Sequence, residues 1–285
     1  MGPLRWIKAV LFILALVIAP AALAVTIQER IHAGACALSL SDTQISGNWR
    51  PLRQAMNYAL THPQELTSEL RGATPIIHDV GAKLGEGGFG YVYSIDTSRG
   101  RFAAKAWHTT GVPPDEYLVG IVIQMAFSEL GLAPRVHGLV LPVDDQEMRF
   151  NRPDRPGIAP PLVLVMDLVP EARVIRGLRL ENSWDASEGL STRIRSVIQQ
   201  ADQVMRHLLI SPYDEQMLIS EATGAALYND FDLFSIVSNF RRYCFAKPAG
   251  ESIAAMTCTA FKNFRSGYVA EAVLAFLGVS DVQHR

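Results

Sequence analysis

Gly85, Gly87 and Gly90 stand at G-x-G-x-x-G spacing in Gly85-Glu86-Gly87-Gly88-Phe89-Gly90-Tyr91-Val92, with Val92 two residues beyond the last of them. A backbone of this kind lies flat against a polyphosphate, because no Cβ keeps its N–H groups from the phosphate oxygens. The same spacing serves dinucleotides where a strand precedes the glycines and a helix follows. Here Tyr91–Asp96 alternates as a strand and passes through Thr97-Ser98-Arg99-Gly100 into another, Arg101–Trp107. That context argues against dinucleotide binding. Lys105 falls on the later strand, fifteen residues past Gly90.

The elements that must position these groups change character along the chain. Residues 25–75 hold helical stretches at Trp49–Leu60 and Pro63–Leu70, broken at Thr61, His62 and Pro63. From Ile76 the period shortens, and Ile76–Leu84, Tyr91–Asp96 and Arg101–Trp107 form an expected three-strand meander. Tyr117, Leu118, Ile121, Met125 and Phe127 then predict a helix over Pro113–Leu130. Val136–Leu141 and Pro161–Val169 read as strands around Pro142–Pro160, a charged, proline-rich stretch expected to be a loop. Farther on, Ile194, Val197, Ile198, Ala201, Val204, Met205 and Leu208 share one face of a helix over Ser191–Leu209. A hairpin of Met217–Ile219 and Ala225–Tyr228 follows, turning at Thr223-Gly224, with further helical runs at Phe234–Tyr243 and Ser266–Leu277. The order, sheet-rich and then helix-rich, is that of an α+β chain without solenoid repeats.

Composition narrows the function classes. The 285 residues are 49% hydrophobic and carry 26 basic against 28 acidic side chains, a net charge of −2. Nothing in that balance attracts nucleic acid, so any phosphate must be held by a local arrangement. Residues 1–24 read as a secretory signal: Arg5 and Lys8 precede the apolar run Ala9–Ile18, and Ala22-Leu23-Ala24 has the small-x-small form of a cleavage site. The competing reading is an uncleaved anchor over Ala9–Val25. Both send the body of the chain out of the cytosol, into a periplasmic or secreted location, and cleavage leaves no stable membrane association. Of Cys36, Cys244 and Cys258, an oxidising compartment would pair Cys244 with Cys258 and leave Cys36 odd; the alternative is three buried thiols. No cysteine or histidine spacing suggests zinc.

Phe102-Ala103-Ala104-Lys105 sits, relative to the glycines, where protein kinases have Val-Ala-Ile-Lys, and the segment from about 76 to 245 resembles the protein kinase superfamily. The resemblance implies a two-lobed fold: an antiparallel β-rich N-lobe with its hinge over 76–169, and a reduced helical C-lobe over 170–285. It implies that ATP is the cofactor, with Mg²⁺, or Mn²⁺ in its place. Gly85, Gly87, Gly88 and Gly90 would clamp the phosphates, Val92 and Ala103 would cover the adenine, and Lys105 would hold the α- and β-phosphates. Leu132-Ala133-Pro134-Arg135-Val136 looks like the connection from helix αC to the next strand. Leu164–Val169 is similar to the strand and hinge that follow, with Met166 as gatekeeper and the Asp167–Val169 backbone beside adenine. Leu218 would lie beneath the base. Asn229-Asp230-Phe231-Asp232 looks like Asp-Phe-Gly with Asp232 in place of the glycine, which makes Asp230 a metal ligand and Asp232 a second one.

Departures from the kinase pattern are concentrated in the catalytic machinery. The αC glutamate position, ten residues before Pro134, is Gln124; Glu116 and Glu129 lie about 80° and 140° around the helix from it. Gln216 stands at the metal-binding asparagine, and Ser211 where the catalytic aspartate belongs. Asp214 is the nearest carboxylate that could replace that base. Two readings follow: an atypical phosphotransferase of protein kinase type acting on a protein substrate, or a pseudokinase that binds nucleotide or a partner without transfer. The helical preface over 25–75 is expected to brace the N-lobe.

Overall fold

The computed structural model describes residues 25–41, 43–87, 90–107, 114–141, 162–176, 188–208, 210–211, 216–229, 231 and 235–236. Residues 1–24, Gly88, the stretch Pro142–Pro160, Asp214, Asp230, Asp232, Cys244, Cys258 and the expected helix at Ser266–Leu277 lie outside them. The chain is α+β, with antiparallel sheets and five helices among the described residues.

The segment before the main sheet folds as α1 (Ile27–Ala35), a hairpin of β1 (Leu38–Leu40) and β2 (Ile45–Gly47), then α2 (Arg50–Thr61) and α3 (Pro63–Ala73). Helix α1 starts at a capping box, in which Thr26 Oγ1 accepts from the Glu29 N–H at 3.1 Å and Glu29 Oε2 accepts from the Thr26 N–H at 2.8 Å. The next two N–H groups, of Ile27 and Gln28, are taken at 2.7 and 2.9 Å by the Glu69 carboxylate of α3. A negative group thus satisfies the orphan donors at the positive end of α1. Helices α1 and α2 cross at Gly34, where a Cβ would come within 2.7 Å of Leu52 Cα. Only glycine allows that approach.

The main sheet contains β3 (Ile77–Glu86), β4 (Gly90–Thr97) and β5 (Gly100–Trp107) as an antiparallel meander. Helix α4 (Pro114–Glu129) follows, and then β6 (Val136–Val140) and β7 (Val163–Asp167). The strand order is β3-β4-β5-β7-β6, and every neighbouring pair is antiparallel. Period-2 alternation divides the side chains between two cores. Tyr91, Tyr93, Ile95, Ala104, Ala106, Val163 and Val165 belong to one, and Ala103, Trp107, Leu164 and Met166 to the other, larger one. Helix α4 is buried along its length from Ile121 to Phe127, which is why its apolar residues do not form a single stripe. Trp107 and Met166 of the sheet meet Tyr117 and Gln124 of α4 on one side, and α1 and α2 pack on it from the other.

The remaining chain contributes β8 (Arg173–Arg176), α5 (Glu188–Leu208), β9 (Ile210–Ser211), β10 (Gln216–Ser220), β11 (Ala225–Asn229) and β12 (Ser235–Ile236). Strands β11, β10 and β8 form one small antiparallel sheet, and β12 and β9 pair as another. The apolar face of α5, from Ile194 to Leu208, joins the larger core. The same helix grips the preface: Gln203 Oε1 accepts from the Ile45 N–H at 2.7 Å, Gln203 Nε2 donates to the Thr43 carbonyl at 2.9 Å, and His207 stacks on Trp49 at 4.6 Å between ring centroids. Residues 25–73 therefore bridge α4 and α5. Among the described residues no helix is long and apolar enough to cross a membrane.

One expectation is corrected. Ser235 and Ile236, within the helical run expected at Phe234–Tyr243, are extended, because they pair with Ser211 and Ile210. Helix α1, the β1–β2 hairpin and β8 were not expected from the sequence.

Candidate functional site

The glycines lie where an antiparallel hairpin turns. Gly85 pairs with Val92 and Glu86 with Tyr91, and the turn closes through the Gly87 N–H donating to the Gly90 carbonyl at 2.9 Å. The two outer glycines and the inner one serve different needs. A Cβ on Gly85 or Gly87 would meet nothing within 4 Å among the described residues, whose packing leaves room for a side chain at both. A Cβ on Gly90 would come within 2.4 Å of the Ala106 carbonyl oxygen on β5. Lys83 reaches along the strand to Glu86 at 2.9 Å and lies 5.1 Å from the centre of the Tyr91 ring.

Register brings the expected residues of the sheet together. Lys105 stands opposite Val92 on one side and Leu164 on the other, and Ala103 stands opposite Met166. Directly opposed side chains are about 4.5–5.5 Å apart at Cβ. Val92, Ala103, Lys105, Leu164 and Met166 thus share the face of the sheet that looks toward α4, beneath the glycine hairpin. Ala103 is buried and Lys105 only partly so, with its Nζ 5.6 Å from the centre of the Trp107 ring.

Gln124 points into the same layer. It is 6% exposed, and its Nε2 donates to the Pro134 carbonyl at 3.0 Å and to Met166 Sδ at 3.4 Å. Its amide joins α4 to the start of β6 and to the residue expected as gatekeeper. Glu129 is turned elsewhere and meets His32 Nδ1 at 2.6 Å.

The expected hinge begins at Asp167, whose carboxylate closes the edge of the sheet. It accepts from His137 Nε2 at 2.6 Å and from the Arg135 N–H at 3.2 Å, while the Asp167 N–H donates to the Arg135 carbonyl at 2.9 Å. Burial pushes this carboxyl up, but the hydrogen bonds from His137 and Arg135 outweigh it and hold it below its usual value. The Asp167 side chain and N–H are both spent on the sheet. Val169 lies half-buried just beyond.

On the small sheet, Met217 and Ile219 enter the larger core, while Leu218 alternates to the other face and is half-buried between Leu227 and Val174. Gln216 is buried and stands opposite Asn229, the residue before Asp230. On the far side of Asp230, Phe231 is 3% exposed and packs edge-on against Phe127 of α4, with ring centroids 5.2 Å apart. The Tyr228 N–H donates to the Leu132 carbonyl at 2.7 Å, and the Tyr228 ring lies 5.9 Å from Phe127. Both neighbours of Asp230 are thereby fixed. Asp214, Asp230, Asp232 and Gly88 are themselves outside the described residues, and no cluster of metal-binding side chains occurs among those described.

Sequence reasoning missed Trp107, which is 2% exposed and whose Nε1 has no hydrogen-bond partner among the described residues. The signal was period-2 parity: two residues past Lys105 on one strand means the same face. A buried N–H left unpaired costs about 1–3 kcal/mol, which an acceptor reaching it would recover. No protein-family model matches the chain, and no curated protein matches it either.

Proposed function

We propose that this chain is an exported, ATP-binding protein with a two-lobed, kinase-like fold, and that it transfers phosphoryl groups by an atypical mechanism. One observation carries the reading: the glycine hairpin opens β4, and the next strand, β5, sets its Lys105 between Val92 and Leu164, on the face shared with Ala103 and Met166. The element order supports it, since meander, helix α4, β6 and β7 follow one another as the resemblance implies. In this reading Gly85, Gly87, Gly88 and Gly90 approach the phosphates and Lys105 neutralises their charge. Asp230, between Asn229 and the buried Phe231 in the chain, would hold Mg²⁺ together with Gln216 and Asp232. Val92, Ala103 and Leu218 would supply the apolar contacts of adenine. Because the Asp167 N–H is committed to Arg135, the hinge donor for adenine falls to Val169.

A second reading, a nucleotide-binding pseudokinase, is favoured by two observations. The amide of Gln124 occupies the position of the carboxylate that normally orients the lysine, and it is engaged with Pro134 and Met166. Ser211, at the position of the catalytic base, is part of a strand pair with Ser235. Incubation of the full chain with Mg²⁺ or Mn²⁺ and γ-labelled ATP separates the readings. Transfer to itself or to a generic protein acceptor, abolished by Lys105→Ala and by Asp230→Ala, is the expected result. Nucleotide binding without transfer would establish the pseudokinase reading instead.

A further inference from the structure

Cys36 caps the C-terminal end of α1, where it is exposed and free of any disulfide. One helical turn earlier, His32 places Nε2 at 3.6 Å from Cys36 Sγ. The other ring nitrogen, Nδ1, lies 2.6 Å from Glu129 Oε2 at the end of α4, ninety-seven residues away in sequence. Thiol, imidazole and carboxylate thus stand in a line contributed by two separate elements. A carboxylate only accepts, so the hydrogen on the Glu129 side belongs to Nδ1, and in the neutral imidazole Nε2 is then the acceptor that faces the thiol. A nucleophile within reach of a base, with the base oriented by a third group, is the arrangement that activates a cysteine.

We propose that Cys36, His32 and Glu129 form a thiol-activating site whose substrate is a disulfide. The Cys36 proton passes to His32 Nε2, and the thiolate attacks one sulfur of the disulfide. The S–S bond breaks as the new Cys36–S bond forms, and the departing thiolate takes the proton from His32. The incoming disulfide is the oxidant, and the products are a mixed disulfide at Cys36 and one free thiol. Access is available, because the His32 side chain is 64% exposed and Cys36 lies on the surface. Glu129, 18% exposed, is the positioning residue that holds the imidazole in place.

The bland role for this pair is to tie α1 to α4, which requires nothing of the thiol. The two roles separate in the rate of reaction of the folded, full chain with 5,5′-dithiobis(2-nitrobenzoate) at neutral pH. Peptide mapping and Cys36→Ser assign the Cys36 phase among the three cysteines of the chain. Expected is a Cys36 phase about tenfold or more faster than that of the urea-unfolded chain, because an unactivated thiol is only a small fraction thiolate at neutral pH. His32→Gln returns it to the unfolded rate or below, Glu129→Gln gives an intermediate rate, and free imidazole restores part of the rate to His32→Ala. These comparisons are made well below each variant's melting temperature, which removes any effect of lost stability. A Cys36 phase no faster than in the unfolded chain, or one unmoved by His32→Gln, overturns the proposal.

Discussion

Alanine substitutions at Gly85, Gly87 and Gly90 have opposite consequences for folding and for ligand binding. At Gly90 the added Cβ would sit 2.4 Å from the Ala106 carbonyl oxygen and 3.1 Å from Trp107 Cα, both backbone, at the first pair of the β4–β5 ladder. Neither atom moves without lifting one strand from the other. Overpacking of this kind costs about 1–3 kcal/mol. At roughly 2–4 °C per kcal/mol for a chain of this size, the melting temperature falls by about 2–12 °C. At Gly85 and Gly87 nothing among the described residues lies within 4 Å, and neither glycine has a left-handed φ. Alanine there leaves stability unchanged or adds about 0.4–1 kcal/mol by restricting the unfolded chain. Binding should respond in reverse if the space above these two glycines belongs to phosphate. Loss of one charge-assisted contact, about 1.5–3 kcal/mol, weakens Mg·ATP by roughly 10- to 100-fold. Thermal unfolding and equilibrium titration with Mg·ATP measure the two quantities on the same samples. Full-strength binding by Gly85→Ala and Gly87→Ala would show that phosphate does not use this space, and a loss of stability in either equal to that of Gly90→Ala would show that the space is not open.

Gln124→Glu tests the amide beneath the sheet. A carboxylate cannot donate to the Pro134 carbonyl or to Met166 Sδ, so the variant buries an unsatisfied acceptor pair and should lose about 1–3 kcal/mol, read as a lower urea midpoint. A gain in stability would mean instead that Lys105 reaches position 124 and pairs with the new carboxylate. Asp167 makes a pH prediction. Its folded-state pKa lies below the ordinary 3.8, so its contribution is present above that value and is lost as pH falls through the depressed one. Asp167→Asn should therefore melt at a lower temperature than the parent near neutral pH, and the two should converge in acid as pH falls through the depressed value. Curves that stay parallel into acid would show that the His137 contact contributes nothing.

Much of this architecture is legible in the sequence, because alternation is a local property. The meander, α5 and the β10–β11 hairpin have a period set by their own side chains, α4 and β7 show as apolar runs between breakers, and cross-strand register then follows from the turns. Elements whose cause lies elsewhere are less visible. Helix α1 depends on Glu69, forty-two residues from Ile27, for half of its N-terminal satisfaction, although the Thr26/Glu29 capping box was a local clue. Strand β8 is short, and Val174 on it is exposed; it exists because β10 offers an edge. Ser235 and Ile236 are extended because they pair with Ser211 and Ile210, so a helical pattern gave way to tertiary pairing. The candidate site divides the same way. Glycine spacing and strand parity place Lys105, Val92 and Met166, whereas the burial of Trp107 Nε1 and the His137–Asp167 contact arise from packing between strands distant in sequence.

Equilibrium binding of Mg·ATP to the full chain, compared with Lys105→Ala, decides whether the glycine hairpin and Lys105 form a nucleotide site. Expected are saturable binding by the parent, stabilisation against heat that grows with nucleotide concentration, and an affinity at least about tenfold weaker when Lys105 is removed. A parent chain that neither binds nucleotide nor gains stability from it, or one that binds equally well without Lys105, would contradict the account.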